Sequence, residues 1–153
     1  MKDHKINIRL RIVIIKGRKL LVQYRKKHDF YHYVGGHLEY GETILEGSTR
    51  EITEECNGAK FEFKKILYIR DFLAPEEEEE HSVELFILGD INKFEELEHQ
   101  FDPEHPDGSV WCTWLDIDNL PDNLLPHLLS RKLREDYKNN FPNQGEYIGR
   151  MDK

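Results

Sequence analysis

Gly36 to Gly58 reads GHLEYGETILEGSTREITEECNG, a glutamate-rich stretch bounded by glycines. Glu42 and Thr43 open a helix in it. Ile44, Leu45, Thr49 and Ile52 recur at close to the helical period, and Asn57-Gly58 supplies a C-terminal stop. Thr43 with Glu46 three residues on fits a capping box. On this helix Glu51 and Glu55 stand one turn apart, with Glu54 at i+3 from Glu51, so three carboxylates share one edge. Like charges so spaced cost about 0.2 to 0.5 kcal/mol per pair, a penalty that a bound cation reverses. A lone ExxEE is ordinarily a solvated acidic face, and what surrounds this one gives it a different weight.

Gly36, Glu42 and Arg50-Glu51-Ile52-x-Glu54-Glu55 fall at the spacing that resembles the Nudix box, the signature of the Nudix (MutT-like) hydrolase family. Two positions depart from it. The family's glycine after the carboxylate pair falls on Asn57, so either Asn57 replaces it or one residue is inserted and Gly58 and Ala59 take the glycine and apolar roles; both Asn and Gly tolerate the left-handed turn that ends a helix. Val34 stands where many relatives carry proline, which bears on the stiffness of that turn alone.

The resemblance implies an α/β fold of the Nudix type, an α/β/α sandwich with a mixed β-sheet between helices. It implies that Glu51 and Glu55 ligate Mg²⁺ or Mn²⁺, that Glu54 ligates a second ion or holds a water, and that Gly36 adds its carbonyl. Glu42 and Arg50 would pair to fix the helix against the preceding loop. The implied activity is a metal-dependent pyrophosphohydrolase that cleaves a nucleoside diphosphate linked to another group, by water attack on phosphorus. A diphosphate is kinetically inert because its anionic oxygens repel nucleophiles, so carboxylate-held hard cations suit the task. In relatives active on ADP-ribose a proline lies some way past the box, and Pro75 lies there on the inserted reading.

Three rivals stand beside it. A Nudix-fold nucleotide sensor without catalysis would be expected to lose a box carboxylate or Arg50, and none is missing. An isoprenoid diphosphate isomerase would want a cysteine on an early strand, where neither Cys56 nor Cys112 lies. An RNA 5′-end pyrophosphohydrolase would want a basic patch.

The chain of 153 residues carries a formal charge of -8, with 38% apolar and 34% charged residues. That is one domain by size, on the polar side of globular composition. The acidic balance argues against a grip on nucleic acid through its phosphates and favours a small nucleotide-type diphosphate substrate. No apolar run approaches the length of a membrane span, and the first residues alternate charged with apolar where a signal peptide would be uninterrupted; a cytoplasmic location is expected. Two cysteines without CxxC spacing read as reduced thiols.

Along the chain, Ile6 to Ile15 reads as one strand, Lys16-Gly17-Arg18 as a turn and Lys19 to Tyr24 as the returning strand of a hairpin. Arg25 to Asp29 is a basic loop, either solvated or placing Arg25, Lys26 or Lys27 against substrate phosphate. Phe30 to Val34 is a short aromatic strand entering Gly35-Gly36, where a bare Gly36 carbonyl is expected. His32 and His37 are expected to be hydrogen-bonded side chains ahead of metal ligands. Lys60 to Phe72 is a strand, or two broken near Lys64-Lys65, and Ser82 to Ile91 a core strand whose Glu84 is either exposed or aimed at the site. The run Glu76 to Glu80 reads as a solvated loop or a source of a further carboxylate, and the long polar loop 92–108 as a pocket cover. In that loop Glu96, Glu98 and Glu104 are equal candidates for the general base. Tyr24, Tyr33, Tyr40, Tyr68 and Phe72 are candidates to stack on a base, against a default of sheet core or strand surface. Val110 to Leu115 is the last strand and Leu124 to Tyr137 the closing helix, with Pro126 in its first turn. The domain is taken to run over 1–137, with 138–153 a loose polar tail in which a homodimer contact would be sought.

Overall fold

The structure, a computed structural model, describes residues 4–75, 78–93 and 95–152. In chain order its elements are β1 (Asn7–Val13), β2 (Ile15–Lys16), β3 (Lys19–Arg25), β4 (Phe30–Tyr33), α1 (Ile44–Glu55), β5 (Phe61–Leu73), β6 (His81–Ile91), β7 (Val110–Asp116), β8 (Leu124–Leu125), α2 (Leu129–Lys138) and β9 (Glu146–Tyr147). The α/β character and mixed strand pairing are those expected, with the strands divided between two sheets. One runs β1-β6-β5-β9, with β1 parallel to β6 and β5 antiparallel to it. The other runs β2-β3-β4-β8, with β7 on β3.

The N-terminal hairpin expected from Ile6 to Tyr24 is corrected. The chain changes sheets at Ile14: β1 pairs with β6 in register Arg9↔Glu84, and only Ile15–Lys16 turns back onto β3. The continuous apolar run is what permits this. Ile12 and Ile14 pack on the α1 side with Ile52, Val34 and Ala59, while Val13 points into the other core with Tyr33, Tyr68 and Phe86. Gly17 and Arg18, at φ 56° and 63°, make the tight turn between β2 and β3.

Helix α1 begins where its cap dictates. Thr43 is extended, and its hydroxyl accepts a hydrogen bond from the Glu46 N–H at 3.1 Å. Fully buried Ile52 seats the helix, contributing about 1.5 to 3 kcal/mol of transfer free energy. At its end both Asn57 (φ 50°) and Gly58 (φ 75°) are left-handed, and the buried apolar role falls to Ala59. Cys56 and Cys112 are buried free thiols.

The closing helix is also corrected. It starts at Leu129, and Leu124 to Leu128 form the short strand β8 and a turn, because Leu124 pairs with Tyr31 of β4 and Pro126 cannot donate to a helix there. The segment expected as a loose tail lies along β5, with Tyr68↔Glu146 and Ile69↔Tyr147 in register, and Ile148 packs against the core. Among the described residues no helix is long and apolar enough to cross a membrane. Glu76 and Glu77 of the acidic run lie outside the described residues.

Candidate active site

Strand β4 leads through Val34 into Gly35-Gly36, and α1 packs across this segment so that its inward carboxylates reach that backbone. Glu55 accepts a hydrogen bond from the Gly35 N–H at 2.7 Å. Glu51 lies against Gly36 so closely that a Cβ built there would stand 2.8 Å from its Oε1. Glu51, Glu55 and Gly36 line one cavity of about 340 Å³ with Arg50, Arg25 and Glu104. Burial pushes Glu51 up to about 7 against the pull of Arg50, with Glu54 and Glu104 adding to the rise. Burial, then repulsion from Glu51, holds Glu55 well above the ordinary carboxylate range despite the Gly35 N–H. Both shifts record charge crowded into a dry place.

Arg50 organises the edge of this cavity. It forks onto Glu42, reaches the His37 carbonyl at 3.1 Å and Glu51 Oε1 at 3.1 Å, and lies 3.4 Å from Glu54 Oε2. The Glu42 hydrogen bond raises the Arg50 pKa, and the Arg50 bond in turn lowers that of Glu42. Glu54 is exposed at the rim and turned toward Arg50. Among the described residues no three His, Cys, Asp or Glu side chains are gathered in a ready-made metal cage. The acidic oxygens here answer instead to Arg50 and the Gly35 N–H.

Gly36 departs from the bare carbonyl expected of it. It accepts the Leu10 N–H at 2.7 Å, which leaves its second lone pair. Buried hard oxygens from Glu51 and Glu55 beside that carbonyl, with pKa values raised first by burial and then by neighbouring acidic groups, are the donor chemistry that a hard divalent cation fits.

The loop before β7 separates the three candidate bases. Glu104 lines the cavity of Glu51 and Glu55, held by its N–H on Asp102 Oδ1 at 2.9 Å. Glu98 accepts from Thr113, and Glu96 and Glu98 face a different cavity with Lys16 and Lys19. Asp102, 4% exposed, was not legible as a site residue; it anchors the loop through Gln23 at 3.3 Å.

Of the basic loop, Arg25 reaches the site and Lys27 pairs with Asp107 at 2.7 Å. Arg25 donates to His32 Nε2 at 3.0 Å, so His32 carries its proton on Nδ1, directed at the Tyr33 carbonyl. Burial, then Arg11, keeps that imidazole neutral. His37 pairs with Glu80. Both histidines are thus occupied side chains. Among the aromatics, Tyr33 and Tyr68 are core, Tyr24 packs on Tyr31 and Trp111, Tyr40 is exposed, and Phe72 lines a second cavity beside the first.

Solved structures share this fold. A UDP-X diphosphatase superposes with TM-score 0.65 at 19% identity, covering 96% of this chain and 68% of that one. An ADP-ribose pyrophosphatase from Streptococcus suis 89-1591 gives 0.64 at 16%, covering 95% and 99%. A NUDIX hydrolase from Nitrosomonas europaea gives 0.68 at 14%, covering 97% and 79%. At these identities they speak for the fold. The sequence profile described as NUDIX domain matches residues 7–136, from the first strand into α2. With the box helix, its Arg50–Glu42 fork and the glycine pair thus set inside the matched span, this chain belongs to the Nudix hydrolase family.

Proposed function

We propose that the protein is a metal-dependent pyrophosphohydrolase that cleaves a nucleoside diphosphate linked to a further group. The observation that carries this is the burial of Glu51 and Glu55 against Gly35-Gly36, with Glu104 facing them across one cavity. Glu51 and Glu55 with the Gly36 carbonyl would hold Mg²⁺ or Mn²⁺, and Glu54 at the rim is placed for a further ion or a water. When bound, such a cation neutralises diphosphate oxygens and makes water more acidic.

The chain's own groups do the rest. Arg25, whose hydrogen bonds go to the imidazoles His32 and His105, takes a phosphate oxygen of the substrate. Glu104 accepts the proton of the attacking water. The water oxygen bonds to phosphorus as the bridging P–O bond breaks, giving a nucleoside monophosphate and the phosphorylated second group. Arg50 touches no reacting atom and keeps Glu51 and the loop of His37 to Glu42 in place.

The similar structures of a UDP-X diphosphatase and an ADP-ribose pyrophosphatase set the first substrates to try, and Pro75 at the edge of the second cavity is in keeping with ADP-ribose. The protein is taken as cytoplasmic, with residues 1–137 as its catalytic domain and any homodimer contact in 138–153. Phosphate release through a coupled phosphatase, over nucleoside triphosphates, nucleotide sugars, ADP-ribose and dinucleoside polyphosphates with Mg²⁺ or Mn²⁺, tests the reading. Release that Glu54→Gln and Glu55→Gln abolish supports it. No release from any substrate by folded protein would transfer the case to a nucleotide sensor.

A further inference from the structure

Next to the carboxylate cavity lies a larger one, of about 620 Å³, on the opposite face of the first sheet from α1. That volume is of the size that holds a drug-sized ligand. Its floor is a row across three strands. Arg9 of β1, Glu84 of β6 and Arg70 of β5 stand in register, with Arg11 one pleat to one side of the row and Phe72 one pleat to the other. Alternation puts all five on one face of the sheet.

Glu84 is 2% exposed and takes all three arginines: Arg70 Nη1 at 2.5 Å, Arg11 Nε at 3.1 Å and Arg9 Nη1 at 3.4 Å. One carboxylate thus faces three guanidiniums, each carrying five N–H donors. Other carboxylates touch the group at its sides. Glu80 accepts from Arg9 at 3.0 Å but is shared with Ser82 and His37, and Asp152 stands 3.7 Å from Arg70 and is shared with Arg150. Arg11 and Arg25 stand at the divide between the two cavities: Arg11 donates to Glu84 and to the Tyr33 carbonyl, and Arg25 donates to His32 Nε2 and lies 3.4 Å from His105 Nε2.

The cavity's described lining is balanced in formal charge, four arginines with Glu78, Glu80, Glu84 and Asp152, and Glu84 is shared by three of the guanidiniums. Burial and then Arg11 lower the pKa of Arg9, and the same two causes lower that of Arg25. The Arg9 and Arg70 guanidinium carbons stand 4.8 and 5.3 Å from the centre of the Phe72 ring, within cation–π range. Leu125, Pro126 and Phe30 supply an apolar wall.

We propose that this cavity binds a second phosphate of the substrate, remote from the scissile diphosphate, so that the preferred substrates are nucleoside diphosphate compounds whose nucleoside or linked group itself bears a phosphate. Planar guanidiniums on a fixed floor match phosphate bidentately, and their crowding is relieved by a dianion. Arg9, Arg11 and Arg25 line both cavities, so a single ligand spans them. The substrate half of this inference rests on the hydrolase reading; the phosphate seat itself does not.

The test has two arms. In the first, kcat/KM is measured for pairs that differ by one phosphate: ADP-ribose and its 2′-phosphate, dephospho-coenzyme A and coenzyme A, NAD⁺ and NADP⁺. UDP-glucose and UDP-glucuronate supply a carboxylate pair. The phosphorylated member of at least one pair should be favoured by about tenfold or more, and Arg9→Gln should bring that ratio toward one. In the second arm the melting temperature is followed against inorganic phosphate in EDTA, for wild type, Arg9→Gln, Arg9→Lys and Glu51→Gln. Phosphate should raise it in wild type and in Glu51→Gln, less in Arg9→Lys, and not in Arg9→Gln. If no compound is hydrolysed but this pattern holds, the hydrolase reading fails and the phosphate seat stands. Equal kcat/KM within every phosphate pair, a preference only for the glucuronate, or stabilisation of Arg9→Gln equal to wild type would overturn the proposal.

Discussion

Arg50 and Glu42 grip each other through two parallel bonds, Nη2 to Oε1 at 2.7 Å and Nε to Oε2 at 3.0 Å. Eight residues apart in sequence, they tie the second turn of α1 to the loop that leaves the glycine pair. A lysine keeps the charge and loses the fork. Arg50→Lys should therefore fold normally and lower kcat/KM by about 10- to 100-fold, since small misplacements of reacting groups cost that much. Steady-state kinetics beside a circular dichroism melt check both halves.

The two glycines should respond differently to the same added methyl. At Gly35 (φ 131°) a Cβ would stand 2.1 Å from the Leu10 carbonyl oxygen, so Gly35→Ala must move backbone and should cost about 3 kcal/mol or more. At Gly36 the obstruction is the end of the flexible Glu51 side chain, so Gly36→Ala should stay near wild-type stability while losing metal-dependent activity. Urea unfolding and assay of both variants separate strand integrity from carboxylate placement.

Stability of the metal-free protein should fall as pH rises from about 5 to about 7.5. Glu51, near 7 when folded, and Glu55, higher than usual, hold protons that the unfolded chain releases above about 4.5, so the folded state binds more protons in that window. Melting temperature against pH in EDTA shows the slope, and Glu51→Gln should flatten it. Added Mg²⁺ or Mn²⁺ should reverse it by favouring the ionised form.

Glu104→Gln should lower kcat by about 100- to 10,000-fold, the range for removing a general base. Glu96→Gln and Glu98→Gln, on the other cavity, should stay close to wild type. Equal losses in all three variants would deny Glu104 its place.

Glu84→Gln leaves the buried Arg70 and the half-buried Arg9 and Arg11 without their shared anion and should destabilise the fold by about 3 to 5 kcal/mol. Burial works to raise the Glu84 pKa, but Arg11 and Arg70 outweigh it and hold it below the ordinary value. Its stabilisation is therefore complete above about pH 4.5 and is lost as pH falls through the lower folded value, a window distinct from that of Glu51 and Glu55. Acid unfolding of wild type and Glu84→Gln shows the difference.

The box helix was legible because each of its signals is local: the cap at Thr43, the period through Ile52 and the stop at Asn57-Gly58 all lie within one short stretch. The second cavity was not. Arg9 and Arg11 alternate with Ile8 and Leu10 as any half-exposed strand would, and only pairing across β6 to β5 brings them to Arg70. The same limit explains the mistaken hairpin, since nothing in an unbroken apolar run marks Ile14 as the place where the chain leaves one sheet for the other. Leu124 to Leu128 carried helical spacing, yet pairing with β4 claimed them as extended chain. Glu104 could not be told from Glu96 and Glu98 because loop geometry decides which carboxylate turns inward.

Strand β1 gives its Leu10 N–H to the Gly36 carbonyl and, from the residues on either side, sends Arg9 and Arg11 to Glu84. A single peptide thus fixes the spacing between the two cavities. On the proposed reading the backbone there is a ruler: a molecule spanning both cavities would be measured between carboxylate end and arginine end, and one whose charges are spaced otherwise would find only half of its contacts.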